Sequence, residues 1–144
     1  MPAYPADMIG IDRWVRWQLI DGRKVPLQVS GRYASSTDSG TWSSYREASR
    51  AKVGDGLGFV LDGDGFGCFD LDDVLVDGDL LPAARKFLDE HESWLVEISP
   101  SGKGLHVWVY ADSQAGWVRD IDGIKVEFYT RGRYMTMTGV KFQQ

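Results

Sequence analysis

The stretch Gly67-Cys68-Phe69-Asp70-Leu71-Asp72-Asp73 is the part of the sequence on which the fold prediction rests. Because successive side chains of a strand point to opposite faces, Asp70 and Asp72 share one face. Phe69 and Leu71 then share the other face, where apolar side chains can enter a core. The stretch therefore predicts a strand with one acidic and one apolar face.

The acidic pair has two interpretations. Like charges on one surface repel each other unless a cation lies between them, and hard divalent ions such as Mg²⁺ and Mn²⁺ prefer oxygen ligands. Asp70 and Asp72 are therefore candidate metal ligands. The alternative is that Asp-Leu-Asp-Asp marks only the solvated end of a strand.

Length and composition predict one globular domain over residues 1–144. The chain has 144 residues and 43% hydrophobic content, which is enough to bury a core. Cys68 is the only cysteine, which excludes an internal disulfide and a cysteine zinc cluster. No apolar run is long enough to cross a bilayer, and the first residues lack a secretory pattern. We therefore expect a cytoplasmic protein with no membrane partner.

The net charge of -5 limits the ways in which the protein can bind nucleic acid. A protein that coats nucleic acid tightly and nonspecifically needs an excess of lysine and arginine for phosphate contacts. Acids that hold a metal ion are neutralised once the metal is bound. Weaker or metal-assisted nucleic-acid binding therefore stays open.

Periodicity and turn residues predict an α+β fold built mainly from antiparallel strands. Four hairpins are predicted, with turns at Asp21-Gly22, Gly63-Asp64-Gly65, Pro100 to Gly104 and Arg131-Gly132. The second of these places Asp70 and Asp72 on its returning arm. Helices are predicted from Thr41 or Ser43 to Ala51 and from Pro82 to near His91.

Each central strand carries polar side chains on one face. Glu97, His106, Lys125 and Glu127 all alternate with apolar neighbours. A sheet with one wet face predicts such alternation for any polar residue, so the pattern alone does not show a site. The choice of acids and histidine, instead of the threonines and lysines common on a wet face, is what suggests chemistry.

The glycine-containing segment from Ser99 to His106 is the second candidate for binding. Glycines allow a ligand to approach backbone amides, serines offer hydroxyl donors and Lys103 adds a positive charge, all of which suit phosphate groups. The order of a Walker A loop is absent, which argues against a P-loop nucleotide hydrolase. The alternative is an ordinary hairpin turn followed by a structural His106.

The chain resembles the primase-polymerase branch of the archaeo-eukaryotic primase superfamily, in particular the N-terminal domains of phage and plasmid replication proteins. The resemblance covers most of the chain, and it lies in the order and spacing of motifs that are individually weak. The motifs are Trp-Val-Arg-Trp followed by Gly-Arg-Lys-Val-Pro, Thr41-Trp42-Ser43-Ser44-Tyr45, Gly56-Leu57-Gly58-Phe59-Val60, Phe69-Asp70-Leu71-Asp72, Glu97-Ile98-Ser99-Pro100-Ser101-Gly102-Lys103-Gly104-Leu105-His106, Val126-Glu127-Phe128-Tyr129, Arg133-Tyr134 and Thr138-Gly139.

The resemblance implies an RRM-like, mostly antiparallel sheet with flanking helices that catalyses template-directed nucleotidyl transfer from (d)NTPs. Two divalent ions, Mg²⁺ or Mn²⁺, would be held by Asp70, Asp72 and Glu127. His106 would contact the triphosphate, and the implied helpers in nucleotide binding are Ser101, Gly102, Lys103 and Arg133. The implied partners are (d)NTP and single-stranded or primed DNA. Such proteins usually continue into a helical segment and often a helicase, and they are encoded by a phage or plasmid in a bacterial host.

Two other classes of function stay open from the residues alone. A metal-dependent nuclease or a rolling-circle initiator also combines acids with histidine on a comparable sheet, but an initiator needs paired histidines, and His91 lies in a predicted helix. A noncatalytic module that binds nucleotide or single strands would not need all three acids.

Overall fold

The computed structural model describes residues 4–143, and the chain divides into two compact units. The first unit comprises Met1–Leu61 and Gly132–Met137, and the second comprises Asp62–Arg131 and Thr138–Gln144. A single domain over residues 1–144 stays a prediction. None of the helices in the described part of the chain is long and apolar enough to span a bilayer.

The secondary structure is mixed, with mostly antiparallel strands, so the predicted α+β class is confirmed; the RRM-like detail stays a prediction. The helices are α1 (Ala6–Ile9), α2 (Tyr45–Arg50) and α3 (Pro82–Glu90), and a short 3₁₀ turn covers Ser39–Thr41. The strands are β1 (Trp14–Ile20), β2 (Arg23–Leu27), β3 (Gly56–Asp62), β4 (Phe66–Leu71), β5 (Leu75–Val76), β6 (Asp79–Leu80), β7 (Leu95–Ile98), β8 (Leu105–Tyr110), β9 (Trp117–Ile121), β10 (Ile124–Tyr129) and β11 (Arg131–Met137).

The first unit is built on a four-stranded sheet in the order β11-β3-β1-β2. The predicted β1–β2 hairpin is confirmed: both turn residues have positive φ, at 50° for Asp21 and 77° for Gly22, as the commonest two-residue hairpin turn requires. The ring centroid of Trp14 lies 4.8 Å from that of Tyr45 and 5.0 Å from that of Phe59. This aromatic cluster forms part of the core of the first unit.

The N-cap of helix α2 lies one residue after Ser43 and three residues after Thr41, the two predicted caps. Ser44 is the N-cap, because its hydroxyl oxygen accepts from the Glu47 amide at 3.1 Å and its hydroxyl also bonds to the Glu47 carboxylate. Thr41 instead closes the 3₁₀ turn, where its hydroxyl donates to the Asp38 carbonyl. A capping Ser with Glu three residues later is a capping box, and this spacing favours Ser44 over Thr41 or Ser43.

The second unit is built on a five-stranded sheet in the order β7-β8-β4-β10-β9, with antiparallel pairing between all neighbours. Helix α3 begins at Pro82 as predicted and covers the apolar face of this sheet. Its Ala84, Phe87 and Leu88 belong to one buried cluster with the inward side chains of three strands. Those side chains are Phe69 and Leu71, Leu105 and Val107, Ile124, Val126 and Phe128, with Val74 and Leu75 from the following loop and β5.

Two of the four predicted hairpins are wrong. Strand β4 is a central strand that pairs with β8 on one edge and β10 on the other, so no edge is left for β3 across Gly63-Asp64-Gly65. Strand β10 likewise pairs with β4 and β9, so it does not pair with β11 across Arg131-Gly132. The hairpin β7–β8, joined by the glycine loop, is confirmed.

Candidate metal and nucleotide site

The face of the second sheet opposite α3 carries a row of chemically active side chains. In the pairing register Glu97 lies opposite His106, His106 opposite Asp70, and Asp70 opposite Glu127. Directly paired residues of neighbouring strands point to the same face. One line across β7, β8, β4 and β10 therefore carries a carboxylate, an imidazole and two further carboxylates.

His106 and Asp70 are in contact at the centre of this row. The His106 Nε2 atom lies 3.6 Å from Asp70 Oδ1, and the side chains are 7% and 25% exposed. A half-buried carboxylate thus lies beside a nearly buried imidazole. The pair therefore places an imidazole next to a carboxylate that is partly open to solvent.

Glu127 is held at both of its oxygens. The Tyr129 hydroxyl donates to Oε2 at 2.6 Å, and Lys125 Nζ lies 3.2 Å from Oε1. The same ammonium lies 3.6 Å from Asp72 Oδ2. The hydrogen bond to Glu127 is the main cause that raises the pKa of Lys125, and the negative charges of Glu127 and Asp72 add to it.

The three acids suit a divalent ion in their chemistry and in their shared face. Asp72 follows Asp70 by two residues, and its amide bonds to the Lys125 carbonyl at 3.2 Å, which keeps the end of β4 beside β10. Within residues 4–143, however, no three His, Cys, Asp or Glu side chains converge closely enough to hold a metal as they stand. Lys125 is the cation that lies beside two of the acids, Asp72 and Glu127.

The loop between β7 and β8 is a tight turn that uses its own amides. The Gly102 amide donates to the Ser99 carbonyl at 2.9 Å, the Lys103 amide to Ser101 Oγ at 3.2 Å, and the Gly104 amide to Ser99 Oγ at 3.2 Å. The structure thus differs from the expected cradle of open amides, because those donors stabilise the turn. Ser101, Gly102 and Lys103 are exposed, and the Lys103 ammonium is the charged group that the loop can offer to a phosphate.

The Lys103 carbonyl ties this loop to the sequence after the acidic strand. It accepts from the amides of Val74 and Leu75, both at 2.9 Å. Gly104 also lies so close to β4 that a Cβ there would be 2.7 Å from the Leu71 carbonyl oxygen. The loop and the strand end with Asp72 therefore form one rigid corner.

Glu97, which sequence reasoning placed only on a polar face, has a structural role. It is 1% exposed, and its two carboxylate oxygens accept from the amides of Thr138 at 3.1 Å and Gly139 at 2.9 Å. Residues 138–142 run beside β7, with the Ile98 amide bonded to the Val140 carbonyl and the Phe142 amide to the Val96 carbonyl. The resemblance included Thr138-Gly139, but only the structure shows what those residues hold.

The last nucleotide-binding candidate from the sequence, Arg133, is an exposed residue of β11 in the first unit. Aromatic side chains can stack on bases of a single strand, but Trp108, Phe128 and Tyr129 are only 0%, 4% and 8% exposed. Tyr134 donates its hydroxyl to the Lys24 carbonyl, and burial raises its pKa.

The two histidines are not brought together. The His91 ring stacks on Phe87 with centroids 3.9 Å apart and lies 5.2 Å from the Phe69 ring, on the helix side of the sheet. His106 lies on the opposite face beside Asp70. The paired histidines that a rolling-circle initiator needs are therefore absent from the described residues.

Similarity to a known protein extends over most of the chain. Over 140 residues, which are 90% of this chain, the sequence is 41% identical to the DNA primase-polymerase of Nitratiruptor phage NrS-1. The chain is similar to part of a primase-polymerase. It spans 19% of the length of that phage protein, about a fifth. No family model matches the chain.

Proposed function

We propose that this chain is the catalytic part of a DNA primase-polymerase of the archaeo-eukaryotic primase superfamily, of the phage or plasmid replication type. The observation that carries the proposal is the row in which Glu127, Asp70 and His106 occupy directly paired positions on three adjacent strands. The 41% identity to a phage protein with the same named activity supports it.

Asp70, Asp72 and Glu127 are the residues proposed to hold two divalent ions, Mg²⁺ or Mn²⁺. When bound there, such ions would supply positive charge to the attacking and leaving oxygens of a phosphoryl displacement. All three carboxylates keep some exposure, at 25% for Asp70, 41% for Asp72 and 18% for Glu127. Tyr129 orients Glu127 through its hydroxyl without adding charge.

The triphosphate is proposed to lie between the row and the glycine loop. His106 is the second residue of β8, three residues after Lys103 of that loop, so an imidazole and an ammonium come from neighbouring positions of the chain. Ser101 is proposed to assist through its hydroxyl, and the assignments of Gly102 and Arg133 stay predictions. Cationic groups here bind the nucleotide by charge-assisted hydrogen bonds to phosphate oxygens.

The reaction would join a primer to an incoming nucleotide. The primer 3'-hydroxyl oxygen attacks the α-phosphorus of a (d)NTP, the new P–O bond forms, and the bond to pyrophosphate breaks. The proton of the 3'-hydroxyl passes to solvent water, and the electron pair of the broken P–O bond leaves with the pyrophosphate. The protein contributes mainly by positioning these groups and by balancing their charge.

The template strand is proposed to bind chiefly through the first unit. This unit carries nine Lys and Arg against six Asp and Glu, whereas the second carries seven against fifteen. The overall charge of -5 therefore conceals a basic unit and a strongly acidic one. Phosphate contacts need such a basic surface. We further propose that a downstream helical or helicase segment supports primer synthesis and that the protein acts in the bacterial cytoplasm.

One assay separates the competing functions. The protein is incubated with Mn²⁺, a primed DNA template and labelled dNTPs. Template-dependent extension supports the proposal, whereas cleavage of the DNA would indicate a nuclease. Retained nucleotide binding with neither reaction would indicate a noncatalytic module.

A further inference from the structure

The proposed reaction does not need an ammonium group beside the metal ligands, yet Lys125 places one there. Its Nζ atom lies 3.2 Å from Glu127 Oε1 and 3.6 Å from Asp72 Oδ2. Glu127 belongs to β10 and Asp72 directly follows the adjacent strand β4, so a single ammonium partly neutralises both carboxylates. The carboxylates on this face would otherwise repel one another.

The same two carboxylates are the proposed metal ligands, and the inference rests on that part of the proposed function. An ammonium and a divalent cation repel each other, so both cannot remain in contact with the same oxygens at low cost. The Lys125 side chain is 57% exposed and belongs to a residue type with a long, flexible stem. It can leave the carboxylates without opening the core.

We propose that Lys125 is an internal counter-cation that competes with the catalytic metal. Its ammonium holds Asp72 and Glu127 in place while the metal is absent, and metal binding displaces it. Tyr129 differs in kind, because a neutral hydroxyl on the other oxygen of Glu127 stays compatible with a bound metal. Lys125 therefore stabilises the metal-free site and weakens metal affinity at the same time.

The test compares four proteins in two measurements. The parent chain, Lys125→Gln, Lys125→Arg and Lys86→Gln are titrated with Mn²⁺, and free Mn²⁺ is followed by electron paramagnetic resonance. Thermal unfolding of each protein is then measured in EDTA and in saturating Mn²⁺. Lys86 is the matched control, because it forms one ion pair with Asp122 at 3.3 Å and its side chain is 59% exposed.

Lys125→Gln is expected to bind Mn²⁺ about two- to tenfold more tightly, the range that corresponds to losing one or two exposed ion pairs. It is also expected to unfold at a lower temperature than the parent in EDTA. Saturating Mn²⁺ is expected to raise its unfolding temperature more than that of the parent. Lys125→Arg keeps the charge and is expected to behave like the parent, as is Lys86→Gln.

The outcomes distinguish this inference from the proposed function. Unchanged or weaker Mn²⁺ binding by Lys125→Gln, with a parent that binds Mn²⁺ normally, would overturn the inference alone. A parent chain that binds no Mn²⁺ would overturn both the metal assignment and the inference. Because Lys125 is exposed, the glutamine variant is expected to fold, and the arginine variant tests charge without shortening the side chain.

Discussion

At the scale of the residue, Asp70 and Asp73 lie three positions apart in the chain but have different surroundings. Asp70 contacts His106 and lies in the row across the sheet, whereas Asp73 is an exposed residue beyond the end of β4. Asp73 has a φ of 51°, in the region that asparagine also tolerates. The two residues therefore give a matched pair of variants.

Asp70→Asn is expected to reduce primer extension by more than roughly 100-fold, because even partners behind a metal ligand cost about 10–100-fold when changed. The melting temperature should stay close to that of the parent, since asparagine has the same shape. Asp73→Asn should extend primers normally. Extension by Asp70→Asn at the parental rate, measured at the same Mn²⁺ concentration, would remove Asp70 from the metal site.

Glu97 leads to a prediction about stability. In Glu97→Gln one of the two backbone amides, at Thr138 or Gly139, faces an amide NH₂ instead of an oxygen. Removing the acceptor of a buried, charge-assisted hydrogen bond costs about 1–3 kcal/mol. We expect a loss of this size in the free energy of unfolding, measured with urea. An unchanged urea midpoint would show that Glu97 does not anchor residues 138–142.

At the scale of the element, the sequence predicted turns and helix positions better than it predicted which strands pair. The Asp21-Gly22 turn and the Pro82 helix start depend on neighbouring residues, so the sequence shows them directly. The partners of β4 are β8 and β10, which come only after helix α3 in the chain. No turn residue encodes that choice. The alternation of polar and apolar residues indicates that Asp70, His106 and Glu127 each lie on a polar face. Only the pairing register of the strands shows that they are direct neighbours.

Gly104 tests the corner between the loop and β4. In Gly104→Ala the new Cβ would lie 2.7 Å from the Leu71 carbonyl oxygen and 3.1 Å from Ser99 Oγ. Backbone cannot yield easily, and overpacking of this kind costs about 1–3 kcal/mol. We expect that loss in urea unfolding. Gly102→Asn is the control, because Gly102 has a φ of +76° with open space around it, which asparagine tolerates.

At the scale of the whole molecule, charge is divided between the units. Arg46, Arg50 and Lys52 are exposed residues of the first unit, and Lys86 and Lys141 are exposed residues of the second. Neutralising the first set to glutamine should weaken single-stranded DNA binding and lower the slope of log K against log salt by about 0.7 for each phosphate that the protein no longer neutralises. Neutralising the second set should change neither quantity. Equal effects of both sets, in fluorescence anisotropy titrations, would contradict the basic-unit proposal.

The division of the chain at Gly132 and Thr138 also has a consequence for synthesis on the ribosome. The edge strand β11 of the first sheet and the amides that hold Glu97 both come from residues 131–139. A nascent chain that has emerged only as far as β10 therefore lacks a strand in one unit and the partners of a buried carboxylate in the other. Neither unit can complete its folding cotranslationally in sequence order, and both must wait for the same late segment to leave the exit tunnel.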